Sequence, residues 1–157
     1  MLKKLLLICL VMLSLCSTAL ASGSDNLRVA LVYGQYSAEI SCDDEFTVED
    51  LATGKLSILP EGKYFLNVKE GKLTMGEHIF SNKIEINRFE GKSLPQINKR
   101  RYAGSLQAQI QGDRLLINNV VNLELYLCSV LPSKTMPIWP DEAIKAQAIA
   151  ARSYARY

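Results

Sequence analysis

Few side chains in this sequence are of a type that does chemistry, and they are scattered. His78 is the single histidine. It sits in a strand-like stretch, where a hydrogen-bonded structural role is expected. A Ser-His-Asp relay would have to use it, and nothing around it supports one. Of four cysteines, Cys9 and Cys16 lie in an apolar N-terminal segment, leaving Cys42 and Cys128. In an exported protein these two could form a disulfide, or they could stand as two buried free thiols. No CxxC and no His/Cys cluster occurs, so neither a metal site nor a cofactor is expected. The densest concentration of informative residues is SVLPSKTMPIWPDEAIKAQAIAARSYARY, residues 129–157, which holds a Pro-rich turn, the only Trp (Trp139) and an Ala-rich run. Two acids flank the turn. Glu124 precedes it and Glu142 follows it, each at the start of a predicted helix, where a carboxylate complements the helix dipole. Lys145, Arg152 and Arg156 form a basic stripe at i, i+7 and i+11, with a solvated face as the expectation for Arg156.

The elements that must position these groups are mostly strands. From Asn26 to about Val121 the pattern is β, beginning with LRVALVY (27–33), which reads as a buried strand. AEISC and EFTVED alternate polar and apolar residues with a period near two. ATGKLSILPEGKYFLNVKEGKLTMG holds three short apolar runs separated by turn residues, and HIFSNKIEINRF adds two more across Ser81-Asn82. YAGSLQAQIQGDRLLINNV predicts a hairpin with alternating Leu106, Ala108 and Ile110 on one arm and Leu115 to Ile117 on the other. Gly112-Asp113 makes a two-residue type II′ turn, with Gly at the position that needs positive φ. The period then changes. Leu123, Leu127, Val130 and Leu131 share one helical face, with Asn122 suited to an N-cap and Pro132 expected to end the helix. A second helix is expected from Pro140, with Ile144, Ala148, Ala151 and Ala155 at helical spacing. The fold class predicted is therefore α+β: a meander or small sandwich with a hairpin at 102–120, then helices at about 122–131 and 140–157.

The 157 residues suit about one domain, and 48% hydrophobic with 22% charged residues is a globular balance. Residues 1–21, MLKKLLLICLVMLSLCSTALA, have the form of a secretory signal peptide: Lys3 and Lys4, an apolar core, then Ala19-Leu20-Ala21. Cleavage after Ala21 and export across the cytoplasmic membrane are expected, leaving residues 22–157 as the domain. The alternatives are a lipid-attachment site at Cys16, disfavoured by Leu15 before it, and an uncleaved membrane anchor. Without Lys3 and Lys4 the basic residues equal the 16 acidic ones. That neutral balance argues against nucleic acid as a partner. The local basic run INKRRY (97–102) reads as a solvated strand edge.

At this point the residues carry a resemblance. NNVVNLELYLCSVLPS followed by WPDEAIKAQAIAARSYA resembles the core motif of the stage II sporulation protein D/amidase-enhancer LytB (SpoIID/LytB) family. The matching residues are Asn119, Leu123-Glu124, Tyr126-Leu127, Leu131-Pro132-Ser133 and Glu142 to Ala155. The upstream Tyr102-Ala103-Gly104-Ser105-Leu106 is similar to a family hairpin of Y-x-G-x-L form. The resemblance extends over 27–157, and its specific part is 102–157. It implies action on bacterial cell-wall peptidoglycan in sporulation or wall remodelling, with glycan strands as ligand and a cell-wall amidase or other wall hydrolase as partner.

The same resemblance implies lytic-transglycosylase chemistry, which needs a carboxylic acid to protonate the glycosidic oxygen. The family carries that acid as a Glu in the turn. Here the position holds Lys134, or Thr135 in an alignment shifted by one, and a cation there opposes the positive charge that develops at the sugar. Glu142 and Glu124 are the substitute acids, and neither is a firm catalytic assignment. Ser133, Lys134, Trp139, Lys145 and Arg152 are the residues expected to line a glycan cleft. Three readings follow: a non-catalytic wall-associated protein, an active lytic transglycosylase with a displaced acid, and a truncated product or gene fragment. The last rests on the expectation that family domains continue past the Ala-rich helix.

Overall fold

In the computed structural model, residues 25–90, 92–136 and 138–156 are described; the signal peptide expected at 1–21, with Cys9 and Cys16, lies outside them. Twelve strands form two antiparallel six-stranded sheets, and two helices follow. In chain order the strands are β1 (Asn26–Gln35), β2 (Ser37–Cys42), β3 (Phe46–Asp50), β4 (Lys55–Leu59), β5 (Gly62–Lys69), β6 (Lys72–Met75), β7 (His78–Phe80), β8 (Lys83–Arg88), β9 (Gln96–Ile97), β10 (Arg100–Arg101), β11 (Ser105–Gln111) and β12 (Arg114–Asn122). Helix α1 is Leu123–Lys134 and α2 is Asp141–Arg156. The α+β class read from the sequence is what the fold shows.

One sheet runs β1-β12-β11-β8-β3-β4 and the other β10-β9-β2-β5-β6-β7. Period-two alternation gives each sheet one apolar face. Phe46, Val48, Ile84, Ile86, Leu106 and Ile117 of the first sheet are fully buried with Ile40, Leu66, Leu73 and Met75 of the second, in one hydrophobic cluster. Phe46 meets Tyr64 edge to face across the sheets, with ring centroids 5.4 Å apart. Asp50 ties the sheets at one end. It accepts hydrogen bonds from the Ser81 amide (2.8 Å), the Ser81 hydroxyl (2.5 Å), and the amides of Ala52 (3.0 Å) and Thr53 (3.3 Å).

Three expectations need correcting. LRVALVY is not a buried strand: β1 is an edge strand paired only with β12, so Arg28, Ala30 and Tyr33 are exposed while Val32 alone in it is buried. Two irregularities in its register, between Ala30 and Val32 and between Tyr33 and Gln35, fit an edge strand that must bend. Pro132 does not end the first helix. It falls in the last turn, where the ring removes only a bond to the Cys128 carbonyl on an exposed face, and the helix closes at Thr135, whose amide and hydroxyl both donate to Leu131 O at 3.0 Å. Finally, Cys42 and Cys128 are not bonded to each other, and only one matches the buried-thiol alternative. Cys42 is buried at the end of β2 with its thiol donating to Ser93 O, whereas Cys128 is exposed on α1.

The hairpin turn is as expected: Gln111 pairs with Arg114, and Gly112 has φ +66° while Asp113 stays at negative φ, the type II′ signature. INKRRY forms the β9–β10 hairpin at a sheet edge, with Lys99 and Arg100 exposed and Arg101 paired to Asp43 at 2.5 Å. His78 is exposed and stacks on Phe80 rather than taking the expected hydrogen-bonded structural role. Among the described residues no helix is long and apolar enough to cross a membrane, and no cluster of three His, Cys, Asp or Glu side chains could hold a metal ion.

Candidate functional site

The route to the candidate site begins in the β11–β12 hairpin. Gly104 has φ +82°, and a Cβ there would lie 2.2 Å from the Val120 carbonyl oxygen and 3.0 Å from Val121 Cα. Only glycine allows the two backbones to come this close. Directly beside it, buried Asn119 donates from Nδ2 to the Ala103 carbonyl (2.7 Å) and the Ser105 carbonyl (3.0 Å). The Y-x-G-x-L residues and Asn119, which the sequence presents as separate motif positions, are thus one lock between neighbouring strands. What the lock fixes is the exit of β12 into α1. Asn122 caps that helix, accepting from the Glu124 amide at 2.9 Å, and the Leu123 amide donates to Asp25 O at 2.8 Å.

α1 reaches the sheets through Leu123 and Leu127, its only buried residues. α2 has none. Its half-buried stripe, Ile144, Ala148, Ala151 and Ala155 with Gln147 and Arg152, is the one expected from helical spacing, and it lies against α1. Two ion pairs hold α2 in place. Arg152 donates from Nε (3.1 Å) and Nη2 (2.7 Å) to both oxygens of Glu124, a bidentate pair joining the second half of α2 to the first turn of α1. Arg156 donates to the Asp25 carboxylate at the start of β1. The hydrogen bonds and charge of Glu124 hold the Arg152 guanidinium above even its usual high range. The helices therefore run antiparallel.

Between them lies a groove of about 560 Å³, lined by Tyr126, Val130 and Lys134 of α1 and by Gln147, Ala150, Ala151, Tyr154 and Ala155 of α2. The alanines let the helix backbones approach, the tyrosines supply flat amphipathic faces, and Lys134 sets a cation at one end. No carboxylate lines this groove among the described residues.

Of the residues expected in a glycan cleft, only Lys134 is in the groove. Ser133 turns its hydroxyl back to Val130 O (2.7 Å). Trp139 lies in the interhelix turn, where its amide donates to Met136 O (3.0 Å). Lys145 is paired with Glu142 at 2.7 Å on an exposed face, and Arg152 is engaged with Glu124. Thr135 is spent on the helix cap. Neither substitute acid is placed for proton donation: both Glu124 oxygens are taken by Arg152, and the Glu142 side chain is 84% exposed beside Lys145. Tyr126, Gln147 and Tyr154 are groove residues that the sequence pattern did not single out as such. Tyr126 and Lys134 are eight residues apart with Val130 between, and that i, i+4, i+8 spacing was the signal available.

Residues 111–157 match the family model described as SpoIID, stage II sporulation protein. An uncharacterized protein of Brachyspira hyodysenteriae is 44% identical over 69 residues, a match covering 44% of this chain and 19% of that protein. The chain thus spans about a fifth of the length of that relative. No solved structure matches the chain. The SpoIID resemblance read from the sequence is borne out over the span that holds β12, both helices, the groove and Lys134.

Proposed function

We propose, from the premise that residues 111–157 are a SpoIID segment, that the chain is an exported, cell-wall-associated protein that binds peptidoglycan glycan strands or supports a wall hydrolase without cleaving glycan itself. The family match supports a sporulation- or cell-wall-related role. The observation that carries the finer reading is Lys134 at the groove end, in the position where the resemblance implies a catalytic glutamate, with no carboxylate along the groove among the described residues. Acid-catalysed cleavage needs a neutral carboxyl within hydrogen-bond reach of the glycosidic oxygen. A lysine there supplies a cation and three donors instead, suited to the carboxylates and carbonyls of wall polymer. Tyr126 and Tyr154 offer rings against which sugar C–H faces can lie, with Gln147 to hydrogen-bond hydroxyl or acetamido groups.

Co-sedimentation with purified peptidoglycan tests the binding arm. Retention above that of a control protein is expected, and reduced retention for Lys134→Ala and Tyr154→Ala. Since the Tyr154 side chain is largely exposed and Lys134 is exposed, both variants should fold normally. Retention no greater than the control, with no stimulation of an added wall amidase, would sink the proposal.

A further inference from the structure

The first sheet ends on β4, whose outer edge pairs with no strand among the described residues. Unpaired edges invite strand addition, and proteins commonly blunt them with bulges, prolines or charges within the strand. β4 lacks these devices between Leu56 and Leu59: its pairing with β3 is regular throughout, and Lys55 and Pro60 lie at its margins. Its side-chain pattern is also inverted. Leu56 and Ile58 are 59% and 53% exposed on the solvent face of the sheet, beside Glu49 and Thr47 of β3, while Leu59 alone reaches the core.

We infer that β4 is a self-association edge, and that its occupant is β4 of a second copy of this chain, paired antiparallel about a two-fold axis at Ser57. The strand is complementary to itself in that register. Leu56 falls opposite Ile58 of the other copy, and Ile58 opposite its Leu56, so four exposed apolar side chains meet on one face. Cross-strand apolar neighbours of this kind are the unit of sheet stabilisation. Charge agrees with the pairing. Lys55 falls opposite Leu59 of the other copy, beside the bend that carries its exposed Glu61, twice by symmetry, and no like charges oppose one another. An isologous contact of this form closes on itself rather than propagating. Five residues of strand bury less than the roughly 1,200–2,000 Å² of stable complexes, so the dimer is weak and concentration-dependent.

Sedimentation velocity of the chain over a concentration series tests this. The expected result is a monomer–dimer equilibrium that Ile58→Lys shifts at least tenfold toward monomer, while Ile79→Lys, a change at a more exposed isoleucine on the edge strand of the other sheet, leaves it unchanged. Lys55→Glu and Glu61→Lys should each weaken the dimer, and the double variant should restore it. A chain monomeric at every concentration overturns the inference, as does a dimer that Ile58→Lys does not weaken. Far-UV circular dichroism of Ile58→Lys should match the parent, since the side chain is exposed.

Discussion

Replacing Gly104 with alanine tests the strand lock that leads into α1. Two costs arise, and they can be separated. The first is conformational: at φ +82° an L-residue with a Cβ costs about 1–2 kcal/mol, offset by up to ~1 kcal/mol because alanine has less freedom to lose from the unfolded chain. The net is about 1 kcal/mol. The second is steric. A Cβ placed 2.2 Å from Val120 O meets backbone rather than a flexible side-chain end. Overpacking of this kind costs about 1–3 kcal/mol. The sum is about 2–4 kcal/mol, a large part of the stability of a typical domain. For roughly 130 described residues, each kcal/mol moves the melting temperature by about 4 °C, so a fall of about 8–16 °C is expected. Gly112→Ala is the internal control, because Gly112 has φ +66° and a Cβ there would meet nothing within 4 Å. It should fall by only about 4 °C, on the conformational cost alone. Both are read by thermal denaturation followed by circular dichroism. Gly104→Ala melting within about 2 °C of Gly112→Ala would refute the backbone-collision argument.

Asp50 should govern acid stability. Desolvation acts to raise its pKa, and the hydrogen bonds from the Ser81 hydroxyl, then the Ser81, Ala52 and Thr53 amides, outweigh it and leave it lowered. A carboxyl lowered in the folded state contributes stability above its unfolded value and loses it as pH falls below about 4, toward the folded value. Asp50→Asn should therefore flatten the decline in stability below about pH 4 in urea titrations, and cost about 1–3 kcal/mol at neutral pH through mismatched buried donors. Cys128 should react with a maleimide within minutes while buried Cys42 reacts only on unfolding, as site-resolved mass spectrometry would record; a Cys42–Cys128 crosslink would contradict the free-thiol assignment. Because α2 has no buried residue and is held by exposed ion pairs, Arg152→Met should leave the sheets unchanged and speed amide exchange in α2. Salt should have the same effect in the parent.

Local patterns in the sequence account for much of this fold. Alternation marks the strands because each sheet has one buried face, as in Leu106, Ala108 and Leu115. The switch to helical spacing after Asn119 marks α1, since Asn122 both ends a strand and caps a helix. Pairing between distant strands was not legible. β1 with β12 and β2 with β9 depend on chain closure over long stretches, and no local period records it. The edge position of β1 was hidden for the same reason, because an apolar run reads alike at an edge and in a sheet centre until its neighbours are known. For the site, Lys134 was legible from the family resemblance, although it closes α1 rather than lying in the turn. The fates of Ser133, Lys145 and Arg152 were not, because the backbone carbonyl or acid that captures each becomes its neighbour only when the helices form and pack.

The central claim is that the chain engages wall glycan without cutting it. Incubating the purified protein with peptidoglycan sacculi, then separating bound from soluble material and analysing the soluble fraction by mass spectrometry, tests both halves at once. The account predicts protein retained on the sacculi and no anhydro-muropeptides above a protein-free blank, with Glu124→Gln and Glu142→Gln no different from the parent in soluble products. Anhydro-muropeptides released by the parent and abolished in either variant would contradict it.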